Sequence, residues 1–345
     1  MSEIYDVTIV GAGPAGLFSS FYSGLREMKT KIIDNQNTLG GKIHAYPEKM
    51  IWDVGGLTPV LGEKLMEQLA EQATTFEPTV ILRRKVINIE KLTDGLFLLQ
   101  TNDGENHFSK TLILAVGSGI LAPKKIGLKD EEKYIHTNLH YMVDSLKNFK
   151  NKTVLISGGG HSAVDWANTL EPIAKKVIVT YRKGEFIGHE AEISKLKNSS
   201  ADIIYYTNIV GFEGVTCIEK VVLEHVETGK KQFIHVDEVI INHGYDKDNT
   251  LFEQSKVHLK LHEKYGLRGN PFGVTSEPGI FAAGDSLNYE GKLHLIAGAF
   301  QDAVHAVNQA KQFIEPEADQ MAMVSSHNDL LKDKNKELYN HLVIG

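Results

Sequence analysis

Cysteine is almost missing from this chain: Cys217 is the single one among 345 residues. One thiol excludes an internal disulfide, a Cys-x-x-Cys redox pair and any metal site built on several thiolates. Basic charge is also in short supply. Thirty-seven Lys and Arg stand against 44 Asp and Glu, for a net charge of −7. Binding a phosphate backbone requires a basic face, so no nucleic-acid partner is expected. Long apolar runs are absent too. The N-terminal stretch Val7–Val10 is too short for a signal peptide, and no run approaches the roughly 18 residues of a membrane span. No cysteine lies near the C-terminus to carry a lipid. A soluble, cytoplasmic protein with no membrane partner and no metal is expected. With 42% hydrophobic and 23% charged residues the composition is that of a folded protein. At about 100–200 residues per domain, the length suggests two domains.

Glycine, by contrast, is plentiful and ordered in pattern. An apolar strand, Asp6–Val10, runs into Gly11-Ala-Gly13-Pro-Ala-Gly16, then a helical pattern from Pro14 to Met28 and a second strand, Lys31–Asp34. This is the strand–turn–helix–strand setting of a dinucleotide site. Gly11 permits the tight turn, Gly13 lets backbone approach a pyrophosphate, and Gly16 lets helix and strand pack closely. The pyrophosphate sits at the positive end of the helix. Asp34 ends the second strand, where a carboxylate accepts the hydroxyls of an unphosphorylated ribose.

The pattern returns at Thr153–Ser157, Gly158-Gly-Gly160-His-Ser-Ala163, a helix to Leu170 and the strand Val177–Tyr181. Gly158, Gly160 and Ala163 take the small-residue places of this second motif. Its strand ends in Tyr181-Arg182-Lys183, with no carboxylate. Arg182 and Lys183 fit a ribose 2′-phosphate, which points to NADPH rather than NADH. A solvated basic turn is the competing reading of the same pair.

Elsewhere, Val80–Asn102 and Phe108–Val116 read as strands with turns at Asp94-Gly95 and Asp103-Gly104. Ile203–Tyr206, Lys220–His225 and Gln232–Asn242 read the same way. Gly279–Asp285 is a further strand ending in an acid, followed by a helix from Leu295 to Phe313 and a polar, weakly patterned tail after Pro316. Asp285 suits the hydroxyls of a bound polyol and equally suits a helix N-cap.

Taken together, Gly11–Gly16, Gly40-Gly41, the glycine-ended strand at Gly117, Gly158–Ala163 and Ala283-Gly-Asp285 resemble the two-dinucleotide-domain flavoproteins that include thioredoxin reductase. The fold implied is α/β, with two Rossmann-like three-layer dinucleotide-binding domains, the second inserted in the first. Residues 1–117 with 247–345, including a C-terminal extension, would bind FAD, and residues 118–246 would bind NADPH. Thioredoxin reductases carry a Cys-x-x-Cys just ahead of an Asp in the second domain; here the segment before Asp165 has none. The chain therefore resembles more closely the thioredoxin-reductase-like ferredoxin/flavodoxin–NADP⁺ reductases. That likeness rests on Tyr46-Pro-Glu-Lys-Met-Ile-Trp-Asp53, Asn138-Leu-His-Tyr141, Ser162-Ala-Val-Asp-Trp166 and Ser325-Ser-His327.

The resemblance implies that Tyr46 stacks on one face of the isoalloxazine and His327 covers the other. It implies further FAD contacts at Asp34, Gly41, Lys42, Val86, Leu121, Asp285 and Ser326. It also implies hydride transfer from NADPH to flavin N5, single-electron steps to ferredoxin or flavodoxin, reversibility, and a homodimer. The sequence departs from the family at His161, where an acid is frequent, and at Ile187, where a further Arg often follows the 2′-phosphate motif. Arg83–Lys85 and Lys124-Lys125 are the candidate basic patches for an acidic carrier. Two other readings stay open. One is a low-molecular-weight disulfide reductase, whose relatives place a Cys where this chain has Ala12. The other is a flavin redox sensor without turnover.

Overall fold

The structure is a computed structural model that describes residues 3–119, 122–246, 248–263 and 265–344. The chain divides into two compact units, Met1–Ile120 with Lys247–Gly345, and Leu121–Asp246. The second unit is thus inserted in the sequence of the first.

The first unit is built on β1 (Ile4–Val10), β2 (Thr30–Ile33), β3 (Thr79–Ile81), β4 (Val86–Lys91), β5 (Phe97–Thr101) and β6 (Asn106–Leu114), hydrogen-bonded in the order β3-β2-β1-β6-β5-β4. Strands β3, β2, β1 and β6 run parallel, while β4, β5 and the start of β6 form an antiparallel meander. The far half of β6 pairs in parallel with a late strand, Ile280–Ala282. Alternation along β1 sends Val7 and Ile9 to one face and Val10 to the other. On the first face they pack against α1 (Pro14–Leu25), α2 (Gly62–Ala73) and a long helix at Ile296–Ile314, through Leu17, Leu65, Leu69, Ala306 and Val307. On the other face Val10, Ile33, Leu112 and Leu114 meet Phe97 and Leu99 of the meander.

The helix expected to run to Met28 ends at Leu25. Glu27 takes a left-handed φ of 56°. The Met28 N–H donates to the Ser23 carbonyl at 3.1 Å and the Glu27 N–H to the Gly24 carbonyl at 2.9 Å. These are the two crossed bonds of a Schellman closure, here made without the usual glycine.

In the second unit, β7 (Leu139–His140), β8 (Thr153–Ser157), β9 (Lys176–Tyr181) and β10 (Asp202–Tyr205) precede a three-stranded antiparallel sheet of β11 (Thr207–Glu213), β12 (Lys220–His225) and β13 (Lys231–His235). The last strand, β14 (Glu238–Ile241), returns to complete a parallel sheet in the order β7-β14-β8-β9-β10. One face holds Val154, Ile156, Val177 and Val179 against α3 (His161–Leu170) and α4 (Glu190–Lys197). The other holds Leu155, Ile178, Val239 and Ile241 against Val221 and Leu223 of the antiparallel sheet.

Three expectations change. Tyr206, at φ 55°, ends β10 and turns the chain directly into β11, a strand the pattern did not announce. The run Gln232–Asn242 is two strands in two sheets, broken at Val236–Asp237. The tail holds 3-10 turns at Ser325–His327 and Asp329–Leu331 and, after the Ile296–Ile314 helix (α5), a helix α6 (Lys332–Ile344).

Candidate functional site

The first glycine turn lies at the carboxyl end of β1, still against the chain that leaves β6: the Ala115 N–H donates to the Val10 carbonyl at 2.8 Å. Gly11 has φ +104°, and a Cβ there would run into the Ala115 carbonyl oxygen. A Cβ on Gly16 would meet the carbonyl oxygen of Gly11, so the third glycine is what lets α1 lie against the turn. Gly13 caps α1 without a side-chain bond, and no acid stands in the first helical turn. The amides of that turn are left to a ligand. Gly41 closes on Gly13, where a Cβ would come within 2.5 Å of the Gly13 Cα. Asp34 is half-buried, and its carboxylate accepts from the backbone N–H of Ala12 at 2.5 Å and of Gln36 at 2.7 Å. Each oxygen keeps a second lone pair for a hydroxyl donor. A turn too tight for side chains, uncapped helix amides and an oriented acid fit the pyrophosphate and ribose of a dinucleotide.

Other expected residues gather on this turn. Arg84 N–H donates to the Asp34 carbonyl at 3.0 Å, which brings buried Val86 to the start of β4 beside it. Lys42 is exposed in the 3-10 turn Gly41–Ala45, and half-buried Tyr46 caps that turn against the core. Gly284 has φ +73°, and its Cβ would come within 2.8 Å of the Ala15 Cβ. Asp285 therefore stands beside the first turn of α1. Its carboxylate is already engaged, at 3.2 Å from Nδ1 of His294. Ser326 and His327 are exposed in their 3-10 turn and bonded to one another at 3.1 Å. Among the described residues no hydrogen bond joins them to the glycine turns. Leu121 lies outside the described residues.

The second turn repeats the design at the end of β8. A Cβ on Gly158 would lie 2.5 Å from the Asn242 carbonyl oxygen and 3.1 Å from the Ala163 Cβ. Gly159 packs on the Tyr181 ring, which stacks on Phe186 with centroids 5.8 Å apart. The Ile187 N–H returns to the Gly159 carbonyl at 2.7 Å, so the segment after β9 folds back over the glycines. Gly160 caps α3 with no side-chain bond and no acid in the first turn. Arg182 and Lys183 are exposed at the end of β9. His161 and His189 meet edge to face, 5.1 Å between centroids. The Ser157 hydroxyl and His243 Nε2 share a hydrogen bond of 2.9 Å. Although His243 is exposed as a residue, its ring is crowded enough that desolvation, followed by the Arg182 charge, lowers its pKa.

Two such turns in one chain coincide with a family match over residues 5–310, described as pyridine nucleotide-disulphide oxidoreductase. The chain belongs to that family. Ferredoxin–NADP reductase 1 of Bacillus anthracis is 56% identical over 344 residues, 99% of both chains. The protein of the same name from Oceanobacillus iheyensis is 56% identical over 339 residues, 97% of both. Among solved structures, the thioredoxin reductase of T. acidophilum is 26% identical, with a TM-score of 0.75 over 90% of this chain and 98% of the other.

Unlike the disulfide chemistry in its family's name, this member has a single thiol to offer. Cys217 lies half-buried in the loop between β11 and β12, whereas the second glycine turn lies between β8 and α3. The expected basic patches are largely neutralised: Arg84 pairs with Asp103, Lys85 with Asp248 at 3.0 Å, Lys124 with Asp246 at 3.7 Å, and Lys125 with Glu132 at 2.5 Å. No helix among the described residues is long and apolar enough to cross a membrane, and no group of three or more His, Cys, Asp or Glu there would hold a metal.

Sequence reasoning missed Asp302, Lys292, Tyr289 and His294, which surround the Gly284–Asp285 turn. A signal for the first was available. Asp302 falls in the apolar stripe Ala299, Ala303, Ala306, Val307 and Ala310 of α5, and an acid on a buried face has to find a cation.

Proposed function

We propose that the protein is a ferredoxin–NADP reductase, holding FAD on the first glycine turn and NADPH on the second. The identity over essentially the full length of both chains, to relatives of that name, carries this reading. When bound, a flavin takes up the nicotinamide hydride as an electron pair and releases electrons singly, which is what a one-electron carrier requires. The chain's own residues bind and orient. Gly11, Gly13, Gly16 and Gly41 admit the pyrophosphate of FAD, Asp34 holds the ribose, and Asp285 accepts a hydroxyl of the ribityl chain. Tyr46 and His327 cover the two faces of the ring, with Lys42, Val86, Leu121 and Ser326 as further contacts. Gly158, Gly160 and Ala163 admit the NADPH pyrophosphate, and Arg182 and Lys183 neutralise the 2′-phosphate. Flavodoxin as a second carrier, a homodimeric state and a cytoplasmic location belong to the same reading.

The test is steady-state turnover with NADPH or NADH as donor and ferredoxin, flavodoxin or a low-molecular-weight disulfide as acceptor. Reduction of ferredoxin or flavodoxin with NADPH preferred is the expected result. Turnover confined to the disulfide, or none with any ferredoxin or flavodoxin, would sink the proposal.

A further inference from the structure

Asp302 is a fully buried charged group beside the proposed FAD site and is not among the residues proposed to touch the cofactor. Its side chain is 1% exposed and that of its partner Lys292 is 5% exposed. The carboxylate gathers three donors from one stretch of chain. Oδ2 accepts the Gly284 N–H at 2.9 Å and the Lys292 ammonium, and Oδ1 accepts the Tyr289 hydroxyl at 2.9 Å. Burial, and then the bond to Asp302, push the Tyr289 phenol up to about 12, so it stays a donor. Lys292 also lies 5.6 Å from the centre of the Tyr289 ring.

A buried ion pair is weak evidence for stability, because desolvating both charges offsets their attraction and a well-packed apolar pair would serve as well. What it supplies is a fixed geometry. Tyr289 packs against the core, but the rest of the segment the ion pair holds, to Leu295, has little apolar anchorage: Leu293 is 65% and Leu295 48% exposed. From that segment His294 reaches back to Asp285. One carboxylate thus fixes the Gly284 backbone directly, and through Tyr289 and Lys292 fixes the loop that carries the partner of Asp285.

We propose that Asp302 is a positioning residue for the flavin nucleotide, locking the Gly284–Asp285 turn and the Tyr289–Leu295 loop into one preformed wall of the binding site. The proposal rests on reading Asp285 as an FAD contact. Without the carboxylate, Lys292 leaves for water and takes the loop with it, and the Gly284 N–H loses its acceptor.

The experiment titrates FAD into deflavinated full-length protein, followed by quenching of flavin fluorescence, with melting temperatures measured with and without FAD. In Asp302→Asn, FAD affinity is expected to fall by about tenfold or more, and the FAD-induced rise in melting temperature to shrink. Affinity for 2′,5′-ADP, the probe of the other site, should stay within about twofold. FAD affinity within about twofold of wild type, or a melting loss equal in the two forms, overturns the proposal. If Asp302→Asn does not fold, Tyr289→Phe decides: it keeps the ion pair, should weaken FAD by about threefold, and overturns the proposal if it does not. Wild-type protein that takes up no FAD would instead defeat the functional reading on which this stands.

Discussion

If the proposed reading holds, the cationic pair at the end of β9 selects the coenzyme at the level of single side chains. Arg182 and Lys183 are exposed, so each phosphate contact is worth the lower end of the range for charge-assisted bonds, about 1.5 kcal/mol. Arg182→Ala is expected to raise the KM for NADPH about tenfold and leave that for NADH nearly unchanged; equal effects on both would return the pair to a solvated turn. His107 makes a different case. It is 7% exposed, its Nδ1 lies 3.4 Å from Lys31 Nζ, and its Nε2 has no partner. Burial, followed by the Lys31 charge, lowers its pKa from 6.5, against smaller opposing effects of Glu105 and Asp103. Lys31 itself is buried against the Tyr5 ring, 3.9 Å from its centre, and its own pKa is lowered by burial. The unfolded chain therefore takes up a proton at His107 before the native state does. The stability this site contributes is whole above pH 6.5 and is lost as pH falls from there towards the lowered native value. Melting temperatures between about pH 8 and about pH 5.5 should fall less in His107→Gln than in wild type; parallel curves would remove the site from the account.

At the level of elements, α1 is closed by geometry that the sequence disguises. Glu27 is exposed and left-handed, a conformation costing roughly 1–2 kcal/mol in a residue with a Cβ. Glu27→Gly relieves that cost and adds back some chain entropy, for an expected net gain of about 0.5–1 kcal/mol in chemical denaturation. A loss of stability would mean that Glu27 is held by something other than its place in the closure. The same disguise limits what could be read from the chain. The strand–turn–helix units were legible because apolar alternation and small residues are dictated by packing and by close backbone approach. Tyr206 was not, since an aromatic residue is no turn signal, yet it turns β10 into β11 at positive φ. Gln232–Asn242 reads as one strand because its β-branched residues continue; what divides it is backbone pairing with distant chain. Val236 N–H goes to Glu219 and Asp237 N–H to Thr153. Helix α6 is polar for most of its length and has no apolar stripe to announce it. For the candidate site, the tight glycine turns and the oriented Asp34 carboxylate were legible because their geometry is local. Tyr289 and Lys292, the side-chain partners of Asp302, were not, because they come from a loop without a motif of its own.

For the molecule as a whole, the question is how a member of a disulfide oxidoreductase family works with one thiol. Two-electron disulfide chemistry on the protein needs a second sulfur to resolve the first, and residue 217 has no neighbour of its kind anywhere in the chain. Neither nucleotide turn contains it. The first is built from Gly11–Gly16, Asp34 and Gly41, the second from Gly158–Ala163 and the end of β9, while Cys217 sits in a connection within the antiparallel sheet. Its neighbours there are structural: the Ile218 N–H donates to Asn138 Oδ1 at 2.8 Å, and a Cβ on Gly214 would strike the Cys217 carbonyl oxygen. Replacing the thiol by a hydroxyl therefore alters neither glycine turn. Cys217→Ser is expected to keep kcat and KM for NADPH and for the electron carrier within about twofold of wild type. Alkylation of the wild-type thiol should likewise leave turnover unchanged. A loss of about tenfold or more in kcat, with the melting temperature intact, would show that the lone sulfur carries electrons after all, and the route from flavin to carrier would have to be drawn through the second unit.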